Sequence, residues 1–298
     1  MVIHKFGGKW TEIKLEKISK YLSFYSTALK KQKFKLWYID GFAGTGAIAI
    51  EKYKNNKEIS NSTKLALSEN SKCENTKEIS GSAKIALDVK DKFDMYVFID
   101  NKPSHIKQLN NLVKDYKKQG LCISIIKNDF NNEIVNLVNS INKNDFNRAI
   151  IFLDPYGMEV EWNTIKLIAE TQKVDLWYLF PIEGANRQLS NNKNRVDNDK
   201  INSLNKLLGT NEWINNWYKP NPQGSLFGNE EEIKNTNKQG IEDFVKNRLE
   251  GIFAKVMKPY RLYGDKDEHK FSLFCCISNP APKAFGLAQK AANHILKD

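Results

Sequence analysis

A chain of 298 residues, 41% of them hydrophobic, can bury one large core or two small ones, and its net charge is +11 at pH 7. The apolar runs at residues 149–153 and 176–181 are far shorter than the ~20 residues of a membrane-spanning helix. The first ten residues lack the apolar stretch of a secretory signal. We therefore expect a cytoplasmic protein with no membrane partner.

The positive charge is concentrated ahead of the first predicted strand. Residues 1–36 hold nine lysines and two acids, which supplies seven of the eleven net positive charges. Within them, residues 14–30 place apolar side chains at helical spacing, which predicts an amphipathic N-terminal helix with a lysine-bearing outer face. Such a face is either simply solvated or binds phosphate, so the charge is compatible with a nucleic-acid partner.

The cysteines and histidines are scattered along the chain. No two of the four cysteines show the two-residue spacing of a zinc or redox motif, which predicts reduced, structural thiols and no metal site. Adjacent Cys275 and Cys276 are expected to point to opposite faces of a strand.

The first unit of the predicted fold is a strand followed by a glycine-rich turn. Residues 35–40 (KLWYID) predict a strand that ends in an acid, residues 41–46 (GFAGTG) predict a tight turn, and residues 47–50 are interpreted as the start of a helix. That order is typical of a nucleotide-binding βαβ unit. Residues 51–92 are polar and contain a near-repeat, 57–67 against 77–87, which we interpret as a tandem insertion.

Strands and helices then alternate, which predicts a parallel sheet with right-handed crossovers. The predicted strands are 95–99, 122–126, 149–153 and 174–180, and the helices between them are 103–118, 133–141 and 162–170. A polar, mostly helical stretch with helices at 201–208, 212–218 and 241–253 predicts a helical cap over about 184–255. A hairpin (260–263 and 271–277) and an alanine-rich helix follow.

These elements predict an α/β fold of the Rossmann-like class I methyltransferase type. It consists of a mostly parallel, doubly wound sheet with a C-terminal antiparallel β-hairpin and a helical insertion. We expect residues 1–298 to form a single domain.

Acids follow successive predicted strands and should face one edge of the sheet, where ligands bind. They are Asp40, Asp100, Asp129 and Asp154. An acid directly before the glycine turn favours the cationic methionine portion of S-adenosyl-L-methionine (SAM) over a pyrophosphate, so we expect Asp40 to accept hydrogen bonds from an ammonium group.

Further cofactor contacts are predicted along the same edge. Gly44 and Gly46 let the backbone turn close to the ligand, Asp100 holds ribose hydroxyls, and the adenine is held by Asp129 through a hydrogen bond and by Phe130 through stacking. The alternative for the glycine segment is a tight turn with no ligand.

Two motifs resemble those of amino-directed nucleic-acid methyltransferases. DGFAGTG (residues 40–46), with Phe42 at its third position, resembles their D-x-F-x-G-x-G cofactor loop, and DPYG (154–157) resembles their D-P-P-Y reaction motif. An aryl amine is a poor nucleophile, and its two N–H bonds can be accepted by the Asp154 carboxylate and the Pro155 carbonyl, while Tyr156 stacks on an extruded base. The alternative is a polar strand end with a proline turn.

A wider resemblance covers nearly the whole chain. Segments 10–22, 38–46, 81–82, 152–157, 175–181 with 186–187, and 207–213 together resemble the three-Cys-motif partner protein family, TcmP. The resemblance implies a methyltransferase-like fold and a protein partner encoded nearby, of radical-SAM type. Along these segments we assign Ser82, Gly157 and Arg187 to the substrate side.

Some of these side chains have a structural alternative. Arg187 either contacts a phosphate or pairs with Glu183. Trp213 and Trp217 sit at helical spacing, which is more typical of a core than of base stacking. The hypothesis is methyl transfer from SAM to an exocyclic amine of DNA or RNA. The alternatives are a non-catalytic or partner-dependent SAM-binding subunit, and a methyltransferase of proteins or small molecules.

Overall fold

A computed structural model describes residues 8–51, 76–221 and 231–297. Its strands are β1 (Lys35–Asp40), β2 (Ala47–Glu51), β3 (Thr76–Ser80), β4 (Met95–Asp100), β5 (Ile123–Lys127), β6 (Asn147–Leu153), β7 (Val174–Phe180), β8 (Tyr218–Pro220), β9 (Glu232–Lys234), β10 (Lys255–Val256), β11 (Tyr260–Tyr263) and β12 (His269–Ile277). Its α-helices are α1 (Lys9–Leu29), α2 (Ser82–Asp88), α3 (Pro103–Leu112), α4 (Lys114–Lys118), α5 (Phe130–Asn142), α6 (Trp162–Glu170), α7 (Ile182–Gln188), α8 (Asn198–Leu208), α9 (Trp213–Trp217), α10 (Lys238–Glu250) and α11 (Pro282–Leu296). A 3₁₀ turn, Lys193–Arg195, lies between α7 and α8.

The main sheet is mostly parallel and has eight strands. Its order is β5-β4-β1-β6-β7-β12-β10, and β11 pairs with β12 beside β10. Strands β5, β4, β1, β6 and β7 pair in parallel, whereas β12 is antiparallel to β7. This order, with one reversed strand near the end of the chain, is that of the Rossmann-like class I methyltransferase fold. The predicted fold class is therefore confirmed.

Each central strand buries both faces, because helices cover the sheet on both sides. Side chains alternate between two hydrophobic clusters: Ile39 belongs to one and Tyr38 to the other. Cys276 and Cys275 are divided in the same way, which confirms that the two thiols point to opposite faces of their strand. Burial raises the pKa of both thiols, so they remain protonated.

Helix α1 confirms the predicted amphipathic N-terminal helix, and two of its lysines are buried. Lys14 and Lys17 are 2% and 7% exposed. The Lys17 ammonium donates to the Ile295 carbonyl at 2.7 Å and lies 3.8 Å from the centre of the Tyr260 ring. Lys9 and Lys20 are exposed on the outer face as predicted, whereas these two long side chains find anionic, carbonyl or aromatic partners under the helix.

The chain after the glycine turn is a strand, so the predicted helix at 47–50 is wrong. Strand β2 pairs antiparallel with β3, with Ala47 opposite Ser80 and Glu51 opposite Thr76. The sequence AIAIE alternates with the period of a strand, and its partner lies about thirty residues away in the chain. The first helix of the unit is α2. Residues 52–75, with the first copy of the near-repeat, lie outside the described residues.

The region after β7 contains helices α7 to α10, together with a short β8–β9 ribbon that the sequence did not predict. Trp213 and Trp217 are 1% and 2% exposed and pack 5.5 Å apart, which confirms their assignment to the core.

The predicted helix at 103–118 is broken at Val113 into α3 and α4. In ranges 8–51, 76–221 and 231–297, no helix is both long and apolar enough to cross a membrane.

A buried carboxylate at the start of β7 gives a prediction about stability. Burial raises the pKa of Asp175 from 3.8 to about 6, although the Tyr21 hydroxyl donates to it at 2.7 Å. Since the folded pKa is the higher one, the stabilising effect is present below about pH 4 and is lost as pH rises through 6. Relative to wild type, Asp175→Asn should therefore become more stable by about 2 kcal/mol between pH 4 and pH 7. Urea unfolding of both proteins at each pH measures this, and a constant difference would contradict it.

Candidate active site

A pocket opens at the carboxyl ends of β1, β4 and β5, next to the point between β1 and β6 where the strand order reverses. Ligands bind to open α/β sheets at such a point. The wall of the pocket is formed by Gly41, Phe42, Asp100, Asn101, Lys102, Asn128, Asp129, Phe130, Tyr156 and Glu159.

The backbone of the glycine turn favours glycine at two positions. Gly44 and Gly46 have φ values of +59° and +78°, which other residues rarely adopt. A Cβ on Gly46 would lie 2.4 Å from Leu112 Cδ2, whereas one on Gly44 would meet nothing within 4 Å. Gly44 thus faces open space, and Gly46 is packed against α3.

This contrast predicts different costs for two similar substitutions. Gly44→Ala should lower the free energy of unfolding by about 1 kcal/mol, the cost of a left-handed backbone alone. Gly46→Ala adds the overlap with Leu112 and should cost about 3 kcal/mol in total. Urea unfolding of the two variants measures the difference, and equal costs would show that the Leu112 contact relaxes freely.

Asp100 holds the turn in place. Its Oδ2 accepts from the Gly44 N–H at 3.0 Å and lies 2.9 Å from Nδ1 of the fully buried His105, while Oδ1 accepts from the Lys102 N–H at 2.8 Å. Sequence analysis assigned Asp100 to the ribose hydroxyls of the ligand, and Asp100 does line the pocket. Its carboxylate also fixes the shape of the cofactor loop, a role that sequence analysis missed together with His105.

Asp129 and Phe130 both line the pocket, as predicted for an adenine site. Asp129 Oδ1 caps α5 by accepting from the Asn131 N–H at 2.9 Å. Its Oδ2 forms no hydrogen bond with any residue in the described ranges. Phe130 is only 1% exposed and packs against Phe42 with a centroid distance of 6.1 Å. Little Phe130 ring surface is left for stacking, so the half-buried Phe42 offers the better face.

Asp40 lies beneath the turn and is fully buried. It accepts from the Tyr38 hydroxyl at 3.2 Å and the Phe42 N–H at 3.3 Å, and it is hydrogen-bonded to Ser82. Burial first, and then the charge of Asp154, raise its pKa to about 7 against the opposing effect of the Ser82 bond. Its side chain is not part of the pocket wall, contrary to the direct ligand contact that we expected. Burial under the loop is the reason.

Asp154 is paired with a lysine from the N-terminal helix. Lys14 Nζ donates to Asp154 Oδ2, and the two side chains are 3% and 23% exposed. Asp154 Oδ1 forms no hydrogen bond with the part of the chain that the structure describes. Sequence analysis counted Lys14 only as one of the nine lysines in residues 1–36. Nothing in the local pattern marks a contact with a residue 140 positions away.

The rest of the reaction motif lies beside this pair. Tyr156 is 50% exposed, lines the pocket, and carries the Lys102 ammonium 4.3 Å from its ring centre. Burial of the phenol, and then the charge of Asp100, raise the pKa of Tyr156 to about 12, so it is neutral at physiological pH. Pro155 is buried, and Gly157 is half-buried.

The predicted substrate side is more dispersed. Ser82 is bonded to Asp40 under the loop, and Arg187 lies exposed on α7, where it forms no ion pair with the residues described, Glu183 included. Lys31, Lys33 and Lys35 are exposed near the start of β1, at the amino ends of the strands. That edge is opposite the pocket, so these lysines do not adjoin it.

No protein-family model matches the chain, and no curated protein matches it. Among solved structures, protein LPL1258 from Legionella pneumophila str. Philadelphia 1, of family DUF519, aligns with 97% of this chain and 93% of its own at 14% identity and a TM-score of 0.49. The plantazolicin methyltransferase BpumL, solved in complex with SAH, aligns with 90% of this chain and 85% of its own at 10% identity and a TM-score of 0.32. At these identities neither neighbour assigns an activity to this chain.

Proposed function

We propose that this chain is a SAM-dependent methyltransferase that modifies an exocyclic amine of a nucleic-acid base. The observation that carries the proposal is the juxtaposition of two motifs at one pocket. Phe42 from the DGFAGTG loop and Tyr156 from the DPYG motif line the same cleft, although more than a hundred residues separate them.

The wall of the pocket carries hydrogen-bond acceptors that suit SAM. Asp129 Oδ2 is available to accept from the adenine amino group, and Asp100 can take ribose hydroxyls beside the bonds it already forms. Gly44 leaves open space beside the turn, where the amino-acid end of the ligand fits. When bound, SAM supplies an electrophilic methyl group attached to a positively charged sulfur.

The residues of the chain orient and activate the acceptor amine. Lys14 holds Asp154 Oδ2, which leaves Oδ1 to accept one N–H of the amine, and the Pro155 carbonyl accepts the other. The nitrogen gains the methyl group and loses one proton, for which Asp154 Oδ1 is the acceptor. The neutral Tyr156 ring, half exposed at the mouth of the pocket, provides a stacking surface for the base.

A partner-dependent form of this activity is the second candidate. It is favoured by the Lys14–Asp154 pair. In the isolated chain Lys14 occupies one carboxylate oxygen of Asp154, and the acceptor has to bind beside this pair. It also agrees with the resemblance to the TcmP family and with a partner encoded nearby. An acceptor protein or small molecule in place of nucleic acid is the remaining alternative.

Two measurements test the proposal. Calorimetric titration with SAM and with SAH should show binding of both, and mass spectrometry should detect labelled methyl groups on DNA or RNA after incubation with SAM. Nucleic-acid binding through lysines should also weaken steeply as salt rises, whereas docking of a protein partner need not. Absence of SAM binding would refute the assignment of SAM as the cofactor. Binding with transfer only when the partner is added would establish the second candidate.

A further inference from the structure

Two carboxylates stand at the ends of the neighbouring strands β1 and β6: Asp40 ends β1 opposite Phe152, and Asp154 comes two residues after Phe152. Asp40 is fully buried, and the side chains of Asp154 and Lys14 are 23% and 3% exposed. Lys14 pairs with Asp154, and the charge of Asp154 acts on Asp40. This group, which we call the buried triad, therefore has two acids and one base.

The neighbours of Asp40 do not supply the missing positive charge. From β1 it faces the Tyr38 hydroxyl, from the turn the Phe42 N–H, and from α2 Ser82, all of them neutral donors. From β6 it faces Asp154, whose lysine comes from α1. Within the described residues no cation is bonded to Asp40. An unpaired carboxylate is costly at such a site, which is why its pKa rises to about 7.

Resting on the proposed function, we infer that the buried triad exchanges a proton for the positive charge of the cofactor. The ammonium group of SAM replaces the proton on Asp40 as the counter-charge, and that proton passes to bulk water. Gly41 and Phe42, which follow Asp40 in the chain, line the pocket. This part of the turn therefore lies between a ligand in the pocket and the Asp40 carboxylate. Lys14 sets the number of protons exchanged. Because its ammonium balances the charge of Asp154, the Asp40 carboxylate is the single charge left to compensate.

Calorimetry in buffers of different ionisation enthalpy counts the protons released on binding. With the Asp40 pKa at about 7 and the ordinary α-amino value for the ligand, SAM should release about 0.9 proton at pH 6 and about 0.4 at pH 7. Its affinity should be roughly fivefold tighter at pH 7 than at pH 6. SAH carries the same ammonium group and should behave alike.

Two controls isolate the charge exchange. 5′-Methylthioadenosine shares the adenosine but has no ammonium group, so it should bind without proton release. Asp40→Asn should bind SAM with no release and no dependence on pH in this range. The comparison of ligands on the wild-type protein stands even where that variant fails to fold.

The outcomes separate the inference from the function it rests on. If SAM binds without releasing a proton, or if 5′-methylthioadenosine releases the same proton, the charge exchange is refuted while SAM binding stands. If neither SAM nor SAH binds, the proposed function fails and the inference fails with it.

Discussion

Replacing Asp154 by alanine is expected to slow methyl transfer by about 10²–10⁴-fold, the usual contribution of a positioned acid or base. The affinity for SAM should change far less than the rate, because Asp154 is outside the pocket wall and acts on Asp40 only through its charge. Transfer of labelled methyl groups from SAM to mixed RNA and genomic DNA measures the rate, and calorimetry measures the affinity. Full turnover in the variant would remove the proposed role of Asp154.

Two further variants give this experiment its controls. Asp154→Asn keeps an oxygen that accepts an N–H but loses the negative charge, so its rate should fall between wild type and alanine. Asp145→Ala removes a carboxylate that is 97% exposed and bridged to Lys173, far from the pocket wall. It should leave transfer unchanged, and a loss there would point to a general effect on folding.

The second large effect is expected from Lys14→Met, which leaves Asp154 without its cation. Breaking a buried pair from one side costs about 3–5 kcal/mol of unfolding free energy, and the partial exposure of Asp154 favours the lower value. Lys17→Met is the matched control, since it removes a lysine that is also buried, one turn further along α1. It removes a donor to the Ile295 carbonyl and a cation above the Tyr260 ring rather than the ammonium that pairs with Asp154, so it should cost less.

A double-mutant cycle assigns the loss to the ion pair. In Lys14→Met with Asp154→Asn, no charge is left without a partner, and much of the stability should return. Urea unfolding of the wild type, the two single variants and the double variant gives the coupling energy. A coupling near zero, or equal losses for Lys14→Met and Lys17→Met, would show that the pair does not stabilise the fold.

The strands were predictable because their residues are locally consistent. Residues 35–40 and 174–180 are rich in β-branched and aromatic side chains and bounded by turns, and the structure begins and ends β1 and β7 at those residues. Acids placed directly after such runs had to share an edge of a parallel sheet. Of the four acids chosen in this way, Asp100 and Asp129 line the pocket, whereas Asp40 and Asp154 do not.

What the sequence could not supply was contact between distant segments. Strand β2 was mistaken for a helix because its partner β3 lies beyond an insertion, and strand pairing overrides a short local preference. Lys14 resembled its exposed neighbours because burial depends on the position of Asp154. Asp40 was expected to contact the ligand, but it is buried under the loop, and that depth is a property of packing.

The β2–β3 hairpin makes the length of the insertion irrelevant to the loop beside it. The Gly81 N–H donates to the Gly46 carbonyl at 2.9 Å, so the chain leaves and returns at the same point. Helix α2, with Ser82 at its start, is thereby anchored to the end of the turn however many residues intervene. A reporter sequence inserted between β2 and β3 should therefore spare the neighbouring turn, because each doubling of a loop length adds only about 0.6 kcal/mol to the cost of closing it.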